Sequence, residues 1–85
     1  MKLIFQKAAL KGLRKMSPKA ASALLSRLEV IAFEPDKKHA NTKPLVGAPD
    51  TFRLRQGDWR AVFVLDRDAD EMNVVVIDVR GSVYR

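Results

Sequence analysis

The chain has 85 residues, no cysteine, one histidine and a formal net charge of +6; this size implies a single domain spanning residues 1–85, and the composition excludes disulfides, thiolate metal sites and any histidine-rich metal site. Its first apolar run, from Leu3 to Phe5, is too short for a signal peptide and is followed by Lys7, Lys11, Arg14 and Lys15, and no run approaches the ~18 apolar residues of a membrane helix. The expectation is a soluble cytoplasmic protein with no membrane association, no metal and no cofactor.

Residues 1–5 read as a short strand with Leu3 and Phe5 on one face. A helix follows, with Phe5, Ala9, Leu13 and Met16 on one stripe and Lys7, Lys11, Arg14 and Lys15 opposite. Ser17-Pro18 is a restart: serine caps a second helix and proline suits its first position. That helix carries Ala21, Leu24, Leu25, Leu28, Ile31 and Ala32 at helical spacing, and Pro35 stops it. Residues 35–50 read as a loop with three prolines, one glycine and the cluster Lys37-Lys38-His39; loops of that length often carry function.

Strands resume at Thr51. Phe52 and Leu54 alternate with Arg53 and Arg55, Gln56-Gly57-Asp58 is a turn, and Trp59 to Asp66 is a strand rich in aromatic and β-branched residues. After a turn at Arg67–Asp70, Met72 to Val79 is nearly continuously apolar, which predicts a central strand buried on both faces. The predicted order is β-α-α-β-β-β, an α+β fold.

The charge is unevenly distributed. Residues 1–49 carry ten basic and three acidic side chains, whereas residues 50–85 carry six and seven, and every basic residue after Lys43 is an arginine. Arginine binds two phosphate oxygens at once through its planar fork. If Gly57-Asp58 is a two-residue hairpin turn, Arg55 lies opposite Arg60 and Arg53 opposite Val62, so Arg53, Arg55 and Arg60 emerge on one face. Phe52, Leu54, Trp59, Ala61 and Phe63 emerge on the other. Like charges directly opposite one another are destabilising, and an anion seated on them relieves the repulsion. A solvated face, with an arginine paired to Asp58 or Asp78, is the alternative. The chain ends with Arg80 and, four residues on, Tyr84. Tyrosine ordinarily has a pKa of about 10; cationic neighbours favour its phenolate as a base, and its ring can also stack on a nucleobase. Packing on the core is the alternative for Tyr84, and solvent exposure the alternative for His39 as an acid or base.

Lys43-Pro44-Leu45-Val46-Gly47, then Phe52-Arg53-Leu54-Arg55-Gln56-Gly57-Asp58-Trp59-Arg60-Ala61-Val62-Phe63, then Arg80 and Val83-Tyr84, resemble the RelE/ParE toxin superfamily over essentially the whole chain. The resemblance implies a helical hairpin on a twisted, mostly antiparallel sheet of the microbial RNase type. It implies the toxin of a type II toxin–antitoxin system, neutralised by a cognate antitoxin that is acidic in its toxin-binding segment and partly disordered until bound. RelE-type members are metal-independent endoribonucleases that cut messenger RNA in the A site of the 70S ribosome. ParE-type members share the fold and poison DNA gyrase without cleaving anything, and a degenerate toxin that only binds its antitoxin is a third possibility.

Carried over residue by residue, the resemblance implies that Arg53 and its neighbour Arg55 contact phosphate and that Arg60 stabilises the transition state. Arg80 corresponds to a candidate general acid, and Tyr84 to a tyrosine that stacks on substrate or acts as base. Lys43 and His39 are further candidates. Two departures stand out. Some ribonuclease members carry a lysine where this chain has Thr51, and some continue into a C-terminal helix beyond the position of Arg85. Arginine is a poor proton carrier, so Tyr84 is the leading base and His39 a distant second.

Overall fold

The computed structural model describes residues 1–79. The chain runs β1 (Lys2–Phe5), α1 (Lys7–Lys15), α2 (Pro18–Phe33), β2 (Thr42–Pro44), β3 (Thr51–Gln56), β4 (Trp59–Asp66) and β5 (Glu71–Val79). Five strands form one sheet in the order β1-β5-β4-β3-β2. β1 runs parallel to β5, and the remaining pairs are antiparallel. This is the expected α+β architecture with one strand more.

The helices start and stop for local reasons. Ser17 accepts a hydrogen bond from the Ala20 amide through Oγ at 3.2 Å, with Pro18 in the first turn, so one of the orphan amides at the start of α2 is satisfied. Leu24, Leu28, Ile31 and Ala32 recur on one face of α2 and are buried. They join Ala9 and Met16 over a sheet face formed by Leu54, Ala61, Phe63, Leu65, Met72, Val74 and Ile77. Phe52 stacks on Phe63 at the edge of this core, ring centroids 5.6 Å apart.

Two expectations need correction. The segment 35–50 is not wholly loop, because Thr42–Pro44 pairs with β3 as an edge strand, Lys43 opposite Arg53. Pro44 hides it in the sequence, yet an edge strand accommodates a proline whose missing N–H no ladder needs. β5 lies inside the sheet, between β1 and β4, as expected, but it is not buried on both faces. β4 is the middle strand of the sheet, and Val75 and Val79 remain 38% and 42% exposed. Val79 lies opposite Trp59 on the helix side, at the last residue of β5, whereas Val62 on the other face is only 8% exposed. A register shift between Val62 and Phe63 pairs Val62 with Val76 but Phe63 with Val74, which bulges β5 at Val75. No helix among the described residues is long and apolar enough to cross a membrane.

Candidate functional site

The hairpin between β3 and β4 closes as the sequence predicts. Gly57 takes a positive φ of 60°, and Gln56 pairs with Trp59 across a two-residue turn. Arg55 therefore lies opposite Arg60, and Arg53 opposite Val62. Strand alternation then puts Arg53, Arg55 and Arg60 on the face away from the helices, as Leu54, Ala61 and Phe63 all lie in the core.

β2 brings Lys43 to the same face, directly across from Arg53. The bulge does the same for Asp78. Met72 and Val74 point into the core, and with Val75 as the extra residue the next core position falls on Ile77 rather than on an even-numbered residue. Asp78 thereby joins the open face opposite Arg60. The result is one charged row of Lys43 and Arg53, an adjacent row of Arg55, Arg60 and Asp78, and the valines 62 and 76 beside them.

The four cations differ in setting. Lys43 and Arg55 are exposed, while Arg53 and Arg60 are half-buried with their Nε atoms shielded from solvent. Both half-buried arginines are engaged within the chain rather than free. A guanidinium held in place in this way is an oriented donor, and its interaction with an anion is less screened than that of an exposed side chain.

The loop that carries Lys43 is tied down from the far side. Arg67 contacts Asp36 at 2.9 Å and Asp50 at 3.2 Å. Its pKa is raised, first by the hydrogen bond to Asp36 and then by the one to Asp50. Backbone bonds from Leu65 to Asp50 (2.8 Å) and from Arg55 to Asn41 (2.9 Å) fix both ends of the segment.

His39 sits elsewhere. Its Nε2 meets the Glu34 carbonyl at 2.7 Å, and it lines a cavity of about 300 Å³ with Ile31, Thr42, Phe52 and Phe63. Those neighbours belong to the helix side of the sheet, so His39 is not brought to the arginines. Asp58 is likewise directed to the helix side, where it lines a pocket with Ala20, Ala23 and Trp59. Arg80 and Tyr84 lie outside the described residues. Among the described residues no group of three or more histidines, cysteines or carboxylates is arranged to hold a metal ion.

A scan of the sequence against protein-family models finds no match, and a search of curated proteins finds none. Solved structures do match. The isolated RelE toxin of E. coli is 25% identical to this chain, with 98% of this chain and 89% of that one covered and a TM-score of 0.80. A chain of the intact E. coli RelBE toxin–antitoxin complex is 26% identical, with 92% and 94% covered and a TM-score of 0.77. A YoeB/ParE toxin from Agrobacterium tumefaciens shares the fold at 13% identity, with 94% and 99% covered and a TM-score of 0.78.

Proposed function

Since this chain belongs to the RelE/ParE toxin superfamily, we propose that it is the toxin of a type II toxin–antitoxin system and a metal-independent endoribonuclease acting in the cytoplasm on messenger RNA in the ribosomal A site. The observation that carries this reading is the in-register gathering of Lys43, Arg53, Arg55 and Arg60 on one open sheet face. Four donors on the sheet face away from α1 and α2 suit a polyanion lying across the strands. A gyrase poison has no need of a phosphate-transfer site.

In this reading Arg53 and Arg55 hold the scissile phosphate, with Lys43 extending the contact along the RNA. Arg60 stabilises the charge that builds on the phosphoryl oxygens as the 2′-oxygen attacks. Preorganised donors aimed at developing charge are commonly the largest catalytic contribution, about 3–4 kcal/mol for a single donor. The bond from phosphorus to the 5′-oxygen breaks, leaving a cyclic phosphate, or a 3′-phosphate after hydrolysis, and a 5′-hydroxyl. By the family resemblance Arg80 assists the leaving oxygen, and Tyr84 stacks on a base or takes the 2′-hydroxyl proton. The partner that silences the protein is an acidic, partly disordered antitoxin, and the basic first half of the chain offers it a landing surface.

Primer extension on a reporter messenger RNA after brief induction tests the proposal, comparing wild type with Arg60→Ala and Tyr84→Phe. Cuts within codons that vanish in Arg60→Ala are expected, and Tyr84→Phe tells the two roles of Tyr84 apart, with weaker cuts if its hydroxyl takes the proton and unchanged cuts if its ring only stacks. Growth arrest with intact messenger RNA would sink the ribonuclease reading and turn attention to gyrase supercoiling. Neither arrest nor cuts would leave a remnant that only binds its antitoxin.

A further inference from the structure

Asp78 is out of place on a surface that only binds phosphate. It lies directly across from Arg60 and next but one to Arg55, with neighbouring strands about 5 Å apart. A carboxylate there cancels part of the positive charge and repels the anion. The other carboxylates on this face, Asp66 and Glu71, pair with each other at the opposite end of the sheet. They lie six residues along β4 from Arg60, about 20 Å away.

Its geometry suits a different task. Oδ1 accepts the Val79 amide at 2.8 Å, which orients the carboxylate, and Oδ2 takes no hydrogen bond from the described residues. Asp78 is half-buried. Transesterification of RNA needs a group to accept the 2′-hydroxyl proton. Arg53, Arg55 and Arg60 are donors only, and a charged lysine is too. Among the described residues of this cluster, Asp78 alone can accept a proton.

We propose that Asp78 is the general base of the cleavage reaction, which leaves Tyr84 the stacking role; this inference rests on the ribonuclease reading above. The Asp78 carboxylate takes the 2′-hydroxyl proton as the 2′-oxygen bonds to phosphorus. The bond from phosphorus to the 5′-oxygen breaks, the departing oxygen takes a proton from water, and Asp78 returns its own proton to water. The groups facing Asp78 are Arg60 of β4 and Arg55 of β3, with Arg53 and Lys43 in the next row. The lysines of α1 lie beyond the other side of the sheet, where Gly12 meets Ile77.

The test is single-turnover cleavage of a messenger RNA, both on programmed ribosomes and free, alongside RNA binding, for wild type, Asp78→Asn and Asp78→Glu. Asparagine keeps an oxygen for the Val79 amide, so the strand end is preserved. Cleavage by Asp78→Asn is expected to fall roughly 10²- to 10⁴-fold, while RNA affinity holds or rises because a repelling charge has gone. The deficit should shrink as pH rises, since hydroxide can replace the missing base, and Asp78→Glu should recover part of the rate. A wild type that cleaves while Asp78→Asn cleaves nearly as fast overturns this inference alone. Loss of binding together with cleavage, unrescued by Asp78→Glu, also overturns it and makes Asp78 structural. A wild type that cuts neither RNA overturns the ribonuclease reading, and this inference with it.

Discussion

Gly12 of α1 lies so close to β5 that a Cβ placed on it would stand 1.8 Å from the carbonyl oxygen of Ile77 and 2.7 Å from its carbon. The obstacle is backbone, which cannot turn aside as a side chain can. Helix and strand are in direct contact there, and the contact lies one residue from the carboxylate of Asp78. Gly12→Ala gains up to about 1 kcal/mol of helix propensity and loses more to the clash, since overpacking a well-filled site costs about 1–3 kcal/mol and sometimes more. A net loss is therefore expected in urea melts. A variant as stable as the wild type would show that α1 can lift off the sheet freely.

Phe63 is 1% exposed and stacks on Phe52, which lines the cavity beside His39. Truncation to alanine removes both the burial and the ring contact. Phe63→Ala should cost about 3–5 kcal/mol, a large share of a total stability of about 5–15 kcal/mol. Thermal unfolding checks this, and a loss near 1 kcal/mol would mean that the core collapses around the gap.

The sequence showed the hairpin because its information is local. Gly57-Asp58 sets the turn, the turn sets the register, and the register places Arg53, Arg55 and Arg60 together. The bulge in β5 was not legible. In a run such as Val74-Val75-Val76-Ile77 every residue is equally apolar, so the period of two leaves no trace of the extra residue, and the face taken by Asp78 stayed hidden. β2 was missed because three residues ending in proline look like loop; what makes them a strand is the exposed edge of β3, a tertiary fact. His39 drew attention by its chemistry alone, and the chain positions it by a bond to the carbonyl of Glu34, on the helix side.

Arg67 spans two carboxylates, Asp36 and Asp50, at the solvent boundary. Exposed ion pairs contribute little and are screened by salt. Arg67→Ala should accordingly lower the melting temperature only slightly at low ionic strength and not at all at high. A raised folded-state pKa means that this contribution is complete below the ordinary arginine pKa and is lost only as pH rises through the folded value. The Arg67 contribution is thus constant across neutral pH. A wild-type-minus-variant difference that changed between weakly acidic and weakly alkaline buffer would contradict this account.

Arg55 and Arg60 face each other across the hairpin in different surroundings, the first exposed and the second half-buried with Nε shielded from solvent. An exposed arginine attracts RNA mainly by displacing counterions, so Arg55→Ala should weaken RNA binding and reduce the slope of log affinity against log salt by about 0.7 for one lost phosphate contact on a single strand. Its cleavage rate with bound RNA should change little. Arg60 is already oriented and less screened, so its donors act most on charge that appears only in the transition state. Arg60→Ala should therefore lower the single-turnover rate by about 10²- to 10³-fold with a smaller effect on affinity. Measuring both variants for binding across a salt series and for cleavage at saturating enzyme separates the two roles. Equal losses of rate in the two variants would mean that burial does not distinguish them and that the arginine pair acts as one electrostatic unit.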